Sequence, residues 1–161
     1  QVVRLTGDCP LACSEVIDAL VERHLASGAD YTSNTLLRSF PIGLDAEVLT
    51  RSALETAARE ADLASEREHV TPFLYKRPER FRLENLAGPR DLSALRWTVD
   101  EPADLEFVRA VYAELYESDP AFTTADVLAL LERRPELGSI NAGIEHSGYR
   151  RSLEGDRRVE R

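Results

Sequence analysis

Two aspartates stand where a folded chain could use them to hold a hard cation. Val2-Val3-Arg4-Leu5-Thr6 is a short apolar run closed by Gly7 and Asp8, with Pro10 two residues further on. That is the pattern of a buried strand ending in a tight loop. Asp8 then sits at a strand's carboxyl end, the edge at which open α/β sheets bind ligands, and a carboxylate there can hold Mg²⁺ through oxygen. Leu95-Arg96-Trp97-Thr98-Val99-Asp100 repeats the device, and Asp100-Glu101-Pro102-Ala103-Asp104 opens a helix with proline in its first turn. Two carboxylates delivered to one edge suit phosphoryl or nucleotidyl transfer, in which the metal bridges a phosphate and the other reactant. Helix capping is the competing, purely structural use of the same two aspartates.

The elements that must position these groups follow from periodicity. Residues 10–27 read as a helix with Val16, Ile17, Leu20, Val21 and Leu25 on its apolar face, stopped by Gly28, with His24 facing solvent. Residues 29–32 form a short strand. Residues 43–49 alternate as a half-buried strand, so that Asp45 and Glu47 point to one face. A helix from Thr50 to about residue 63 presents the small residues Ala53, Ala57 and Ala61. Ser65 and Glu68 have the spacing of a capping box, which puts His69 in the first turn of a short helix. Residues 81–87 alternate again and are expected to pair antiparallel beside residues 95–100, with Trp97 in the core. A helix from Pro102 to about residue 116 buries Leu105, Val108, Val111, Tyr112 and Leu115. A last helix is boxed by Thr123 and Asp126 and broken by Pro135.

Composition bounds the function classes. The chain has 161 residues, 43% apolar and 30% charged, enough for one domain with its own core. A net charge of -9 argues against a general nucleic-acid or membrane-surface binder, because those need a basic face. No apolar stretch approaches the roughly 18 residues of a spanning helix. No signal peptide is visible, so a cytoplasmic location is inferred. Cys9 and Cys13 lack the further ligands of a zinc site and are expected as reduced thiols, with the Cys9 pKa lowered by a nearby helix start. After residue 144 the composition turns mostly charged, which divides the chain into a folded unit, 1–144, and a tail or linker, 145–161.

Three segments carry a resemblance. Thr6-Gly7-Asp8-Cys9-Pro10-Leu11, Ser65-Glu66-Arg67-Glu68-His69-Val70-Thr71-Pro72 and Arg96-Trp97-Thr98-Val99-Asp100-Glu101-Pro102-Ala103-Asp104-Leu105-Glu106 resemble, in order, the spore coat polysaccharide biosynthesis protein F family. That family is similar to the cytidylyltransferases, including CMP-Kdo synthetase and acylneuraminate cytidylyltransferase. The resemblance implies an α/β fold of three layers with a mixed sheet, like the nucleotide-diphospho-sugar transferases. It implies CTP and a sugar or sugar acid as substrates, with Mg²⁺ held by Asp8 and Asp100. Gly7 belongs to the nucleotide-binding motif, and Asn34, Gly43, Asp45, Glu47, Arg67 and His69 fall on the substrate side. Family members carry a further strand and a basic, glycine-containing phosphate loop before the Gly-Asp motif, so the chain reads as the C-terminal part of such an enzyme. A homodimer is compatible with these features. Two other classes remain open: a glycosyltransferase using a nucleotide sugar, and a non-catalytic sugar-binding or assembly module.

Overall fold

The computed structural model describes residues 1–144, 153 and 156–159. Its elements in chain order are β1 (Val2–Arg4), α1 (Ser14–Ser27), β2 (Tyr31–Ser33), β3 (Glu47–Leu49), α2 (Arg51–Glu60), α3 (Ala64–His69), α4 (Pro72–Tyr75), β4 (Leu83–Asn85), α5 (Pro102–Leu115), α6 (Thr124–Arg133) and α7 (Pro135–Gly138). The strands form one mixed sheet in the order β1-β3-β2-β4. β3 is antiparallel to both β1 and β2, whereas β2 and β4 are parallel. β1, β2 and β4 therefore point the same way, and their carboxyl ends share one edge of the sheet.

The alternation of strand residues builds three layers. Tyr31 and Leu49 face each other across β2 and β3 and pack with Ala53 and Ala57 of α2 and with Phe73 and Leu74 of α4. One residue along, Thr32 and Val48 turn to the opposite face, where Val48 packs against Leu20 of α1. A third cluster joins α5, α6 and α7 around Trp97, with Leu11, Cys13 and Leu44 at its margin. Among the described residues no helix is long and apolar enough to cross a membrane.

Local chemistry explains most element boundaries. Gly28 ends α1 in the left-handed conformation, φ 64°, its N–H donating to the His24 carbonyl at 3.1 Å. Thr50 caps α2 by accepting the Ala53 N–H at 3.1 Å. Asp126 accepts from both the N–H and the hydroxyl of Thr123, each at 2.7 Å, closing the start of α6.

Several expectations are corrected by contacts between distant segments. Pro10 lies in a turn and α1 begins only at Ser14, because turns at Cys9 and Ala12 intervene. His24 is 1% exposed, with Nδ1 2.8 Å from the Thr32 hydroxyl and Nε2 2.9 Å from the Gln1 side-chain oxygen. It stands one helical turn from Leu20 and takes the inward place expected of Leu25, which is exposed. On α5 the same shift buries Phe107 and exposes Leu105. β3 is buried at every position and is no half-exposed strand. β4 pairs parallel with β2, and residues 95–100 instead make a single parallel bridge, Ile42 to Arg96.

Ser65 does not cap α3; Leu63 does, and Ser65 lies inside the helix. Its N–H and hydroxyl donate to Asp156 at 3.0 and 2.8 Å, so the anchoring carboxylate comes from 91 residues away. His69 accordingly closes α3 rather than opening it. Most of the expected tail lies outside the described residues. Residues 156–159 run beside 62–65, with Ala64 N–H to the Arg157 carbonyl at 2.8 Å and Val159 N–H to the Asp62 carbonyl at 2.7 Å.

Gly43 brings the loop before β3 close against Trp97 and Thr98 of the third cluster's segment. Its φ is +103°, and a Cβ there would stand 2.5 Å from the Trp97 carbonyl carbon and overlap the Thr98 nitrogen. Gly43→Ala is expected to lower stability by about 2–4 kcal/mol, through strain at a positive φ and displacement of the Trp97 backbone. Urea denaturation of the two proteins measures the loss.

Candidate active site

The carboxyl edge of the sheet opens into a cleft of about 280 Å³ lined by Arg4, Thr6, Asp8, Thr35, Asp45, Glu47, His69, Thr71, Pro72, Tyr75 and Asp100. β1 and the loop after it supply Arg4, Thr6 and Asp8, and the approach to β3 supplies Asp45 and Glu47. The link between α3 and α4 supplies His69, Thr71 and Pro72. The loop before α5 supplies Asp100. Asp8 and Asp100 are brought together by the main chain. The Asp8 carbonyl accepts the Val99 N–H at 2.8 Å and the Thr98 hydroxyl at 3.2 Å, so the two loops lie side by side.

Arginines hold three of the four carboxylates. Glu47 is paired with Arg4 and accepts the Tyr31 hydroxyl at 2.5 Å. Burial first, then the Glu47 charge, pushes Tyr31 well above its ordinary pKa, so it stays a donor. Arg38 grips Asp45 with both terminal nitrogens, at 2.6 and 2.8 Å, a bidentate geometry that fixes the carboxylate plane. Asp100 accepts from Arg96 at 2.8 Å. Asp8 is exposed, with the Cys9 thiol donating to it at 3.6 Å.

Arg96 is itself clamped. Its Nε and Nη2 donate to the buried Asp104 at 2.9 and 2.7 Å, and Asp104 also accepts the N–H groups of Asp100 and Glu101 and the Asn141 amide. Burial opposes ionisation of Asp104, but the Arg96 guanidinium and these donors outweigh it. The carboxyl is held well below the usual carboxylate range.

Of the residues singled out from the sequence, Asp8, Asp45, Glu47, His69 and Asp100 line this cleft. Asn34 is buried beside it, bracing the loop by donating to the Leu44 carbonyl at 2.7 Å and accepting the Ala46 N–H at 3.0 Å. Gly43 packs on Trp97, and Gly7 has open space around its α-carbon. Arg67 points elsewhere, donating to the Ala58 carbonyl at 2.8 Å. The cysteine expectation is reversed. Burial, aided by the Asp8 and Asp45 charges and opposed by the Thr6 hydroxyl, pushes the Cys9 thiol up to about 11. Cys13 is the residue that caps α1. Burial raises its pKa, but hydrogen bonds from Thr124 and the first-turn N–H groups of the helix outweigh it, and the net shift is downward. Arg4, Arg38 and Tyr75 were missed. Alternation would turn Val3 and Leu5 inward and Arg4 outward, but Val3 and Leu5 are exposed and Arg4 lines the cleft; Tyr75 gave no local signal.

Asp8 and Asp100 suit a cation that takes one or two carboxylates and fills its remaining positions with water and phosphate, as Mg²⁺ does. They do not suit a closed, all-protein site. No group of three or more His, Cys, Asp or Glu side chains that could hold a metal occurs among the described residues.

Comparison with known proteins gives the same picture from another direction. A family model described as cytidylyltransferase matches residues 1–124. An uncharacterised protein of Methanocaldococcus jannaschii is 33% identical over 153 residues, covering 92% of this chain and 60% of the relative. The spore coat polysaccharide biosynthesis protein SpsF of Bacillus subtilis is 30% identical over 141 residues, covering 86% of this chain and 57% of that protein. A solved cytidylyltransferase structure from Leptospira borgpetersenii superposes with a TM-score of 0.81 at 31% identity, over 89% of this chain and 60% of that one. The fold is thus of the nucleotide-diphospho-sugar transferase type, and the chain spans about 60% of the length of these relatives.

Asp104→Asn keeps the shape of the clamp and removes its charge. The expected loss is about 3–5 kcal/mol near neutral pH, the usual result of stripping one partner from a buried pair. Because the Asp104 pKa is depressed in the fold, its stabilisation is whole above the ordinary carboxylate value of about 3.9 and drains away as pH falls towards the depressed one. The gap between the two proteins in urea midpoint should hold constant down to about pH 5 and narrow below about pH 4.

Proposed function

Because the chain belongs to the cytidylyltransferase family, we propose that it carries the acceptor side and the metal carboxylates of an enzyme that moves a cytidylyl group from CTP to a sugar or sugar acid. In that reaction an acceptor oxygen bonds to the α-phosphorus of CTP, the bridge to the β-phosphate breaks, pyrophosphate leaves, and the acceptor's proton passes to solvent. The product, a CMP-activated sugar, would serve the building of a surface polysaccharide. The relative named for spore coat polysaccharide biosynthesis supports that direction.

The observation that carries the reading is the convergence of Asp8, Asp100, Asp45, Glu47 and His69 on one cleft at the carboxyl ends of β1 and β2. Asp8 and Asp100 would hold Mg²⁺, which supplies positive charge against the phosphates when bound. Arg96 keeps Asp100 turned to the cleft by its hydrogen bond, and the Asp8 loop is tied to it through Val99. Asp45 and Glu47, immobilised by Arg38 and Arg4, are acceptors in fixed positions for sugar hydroxyls. His69 and Thr71 stand on the wall formed by the α3–α4 link and would orient the same acceptor.

Calorimetric titration of CTP with Mg²⁺, into the chain and into its upstream-extended form, tests the metal site. Asp8→Ala and Asp100→Ala should each weaken binding about tenfold or more, equal to about 1.4 kcal/mol or more. Binding indifferent to both substitutions would sink the carboxylate pair. Release of pyrophosphate from CTP with a panel of sugar acids tests the reaction. Consumption of a nucleotide sugar without pyrophosphate would point to a glycosyltransferase instead.

A further inference from the structure

The link between α3 and α4 is only two residues long, and the first is conformationally costly. Val70 has φ 67° and ψ -63°, and the Thr71 N–H donates to the His69 carbonyl across it at 2.8 Å. That is a γ-turn in its positive-φ form, rare and strained. Among the described residues Val70 is the only non-glycine with positive φ. A β-branched residue there is a true outlier, since its branched Cβ crowds the backbone.

Such a conformation persists only where its surroundings over-determine it. On the α3 side the Val70 N–H completes the helix to the Glu66 carbonyl at 2.9 Å, and the buried Glu66 carboxylate holds Arg77 at 2.6 Å. Asp156 grips Ser65 one residue further back. On the α4 side Leu74 and Tyr75 both donate to the Thr71 carbonyl, at 2.9 and 3.2 Å, and Arg77 lies 4.1 Å over the Phe73 ring. The turn is thus clamped at both ends. Val70 itself lines a separate small groove with Leu54, Ala57 and Ala61, whereas its two neighbours, His69 and Thr71, both line the cleft.

We propose that Val70 is a positioning residue whose strained turn sets His69 and Thr71 together on the acceptor wall. The proposal rests on the reading that this cleft takes substrate. A strain-free link would need more residues or a glycine, and either would let the two side chains separate. Valine, with few accessible backbone states, holds the turn once the flanking helices have imposed it.

Two substitutions separate the backbone from the side chain. Val70→Ala removes the groove contact but keeps the restriction of a Cβ, whereas Val70→Gly frees φ altogether. In ¹³C-histidine-labelled chain the His69 imidazole signal, assigned by its loss in His69→Gln, should stay in place in Val70→Ala and shift or broaden in Val70→Gly. Thermal melting should place Val70→Gly no lower than Val70→Ala, the reverse of the usual order for these residues. With CTP and a sugar-acid panel, Val70→Gly should lose about tenfold in kcat/KM, mostly through KM.

An imidazole signal identical in all three proteins, or a Val70→Gly melting point well below that of Val70→Ala, would overturn the proposal. So would a shifted signal with unchanged turnover. If the unsubstituted chain and its extended form show no turnover at all, the functional reading fails on its own, and the imidazole comparison still decides whether Val70 places His69.

Discussion

A buried guanidinium locked on a buried carboxylate is the constraint on which the cleft depends. Arg96 belongs to an extended segment that bridges to Ile42, outside the four strands, and Asp104 belongs to the first turn of α5. Their two hydrogen bonds fix where that helix begins. Because Asp104 also takes the N–H groups of Asp100 and Glu101, it fixes the loop that carries Asp100, and through Asn141 it reaches the chain beyond α7. Desolvating such a pair is expensive, and Arg96 Nη1 still finds no partner among the described residues. The arrangement is better understood as a device for geometry than as a source of stability.

The same logic governs the rest of the acidic edge. A cleft bearing four carboxylates is strongly negative, yet Arg4 and Arg38 each pair with one of them, and Arg96 is shared between Asp100 and the buried Asp104. What lines the cleft is then a set of oriented oxygens whose remaining negative charge is concentrated at Asp8 and Asp100. Fixed dipoles of this kind cost no reorganisation when a substrate arrives. The cleft's negative charge is therefore local to those two carboxylates, whatever the net charge of the whole chain.

What could be seen in the sequence was whatever is decided within a few residues. Gly28 as a stop, Thr50 and Thr123 as helix starts and Pro102 in a first turn are all local chemistry. Five of the candidate site residues met in one cleft because each lay at an element's end, and those ends share an edge. The misreadings have a common cause in partners far along the chain. His24 looked solvent-facing because Thr32 and Gln1 are distant in sequence, and Ser65 looked like a cap because Asp156 could not be foreseen. The direction of β4 depended on which strand it chose, and no residue in it declares that choice.

β3 is the central antiparallel member of the sheet, and its place has a consequence for the order in which the protein can assemble. β1 and its ladder partner β3 lie about forty residues apart in the chain; the ion pair between Arg4 and Glu47 alone spans 43 positions. Closing so long a loop costs entropy before any ladder bond repays it. On an elongating chain β1 must wait until α1, β2 and the loop behind them have emerged. Val3 within it and Leu5 beside it are exposed in the folded chain. The cleft needs still later segments, since His69 and Asp100 also line it, so it cannot be complete until the chain has emerged at least as far as the start of α5.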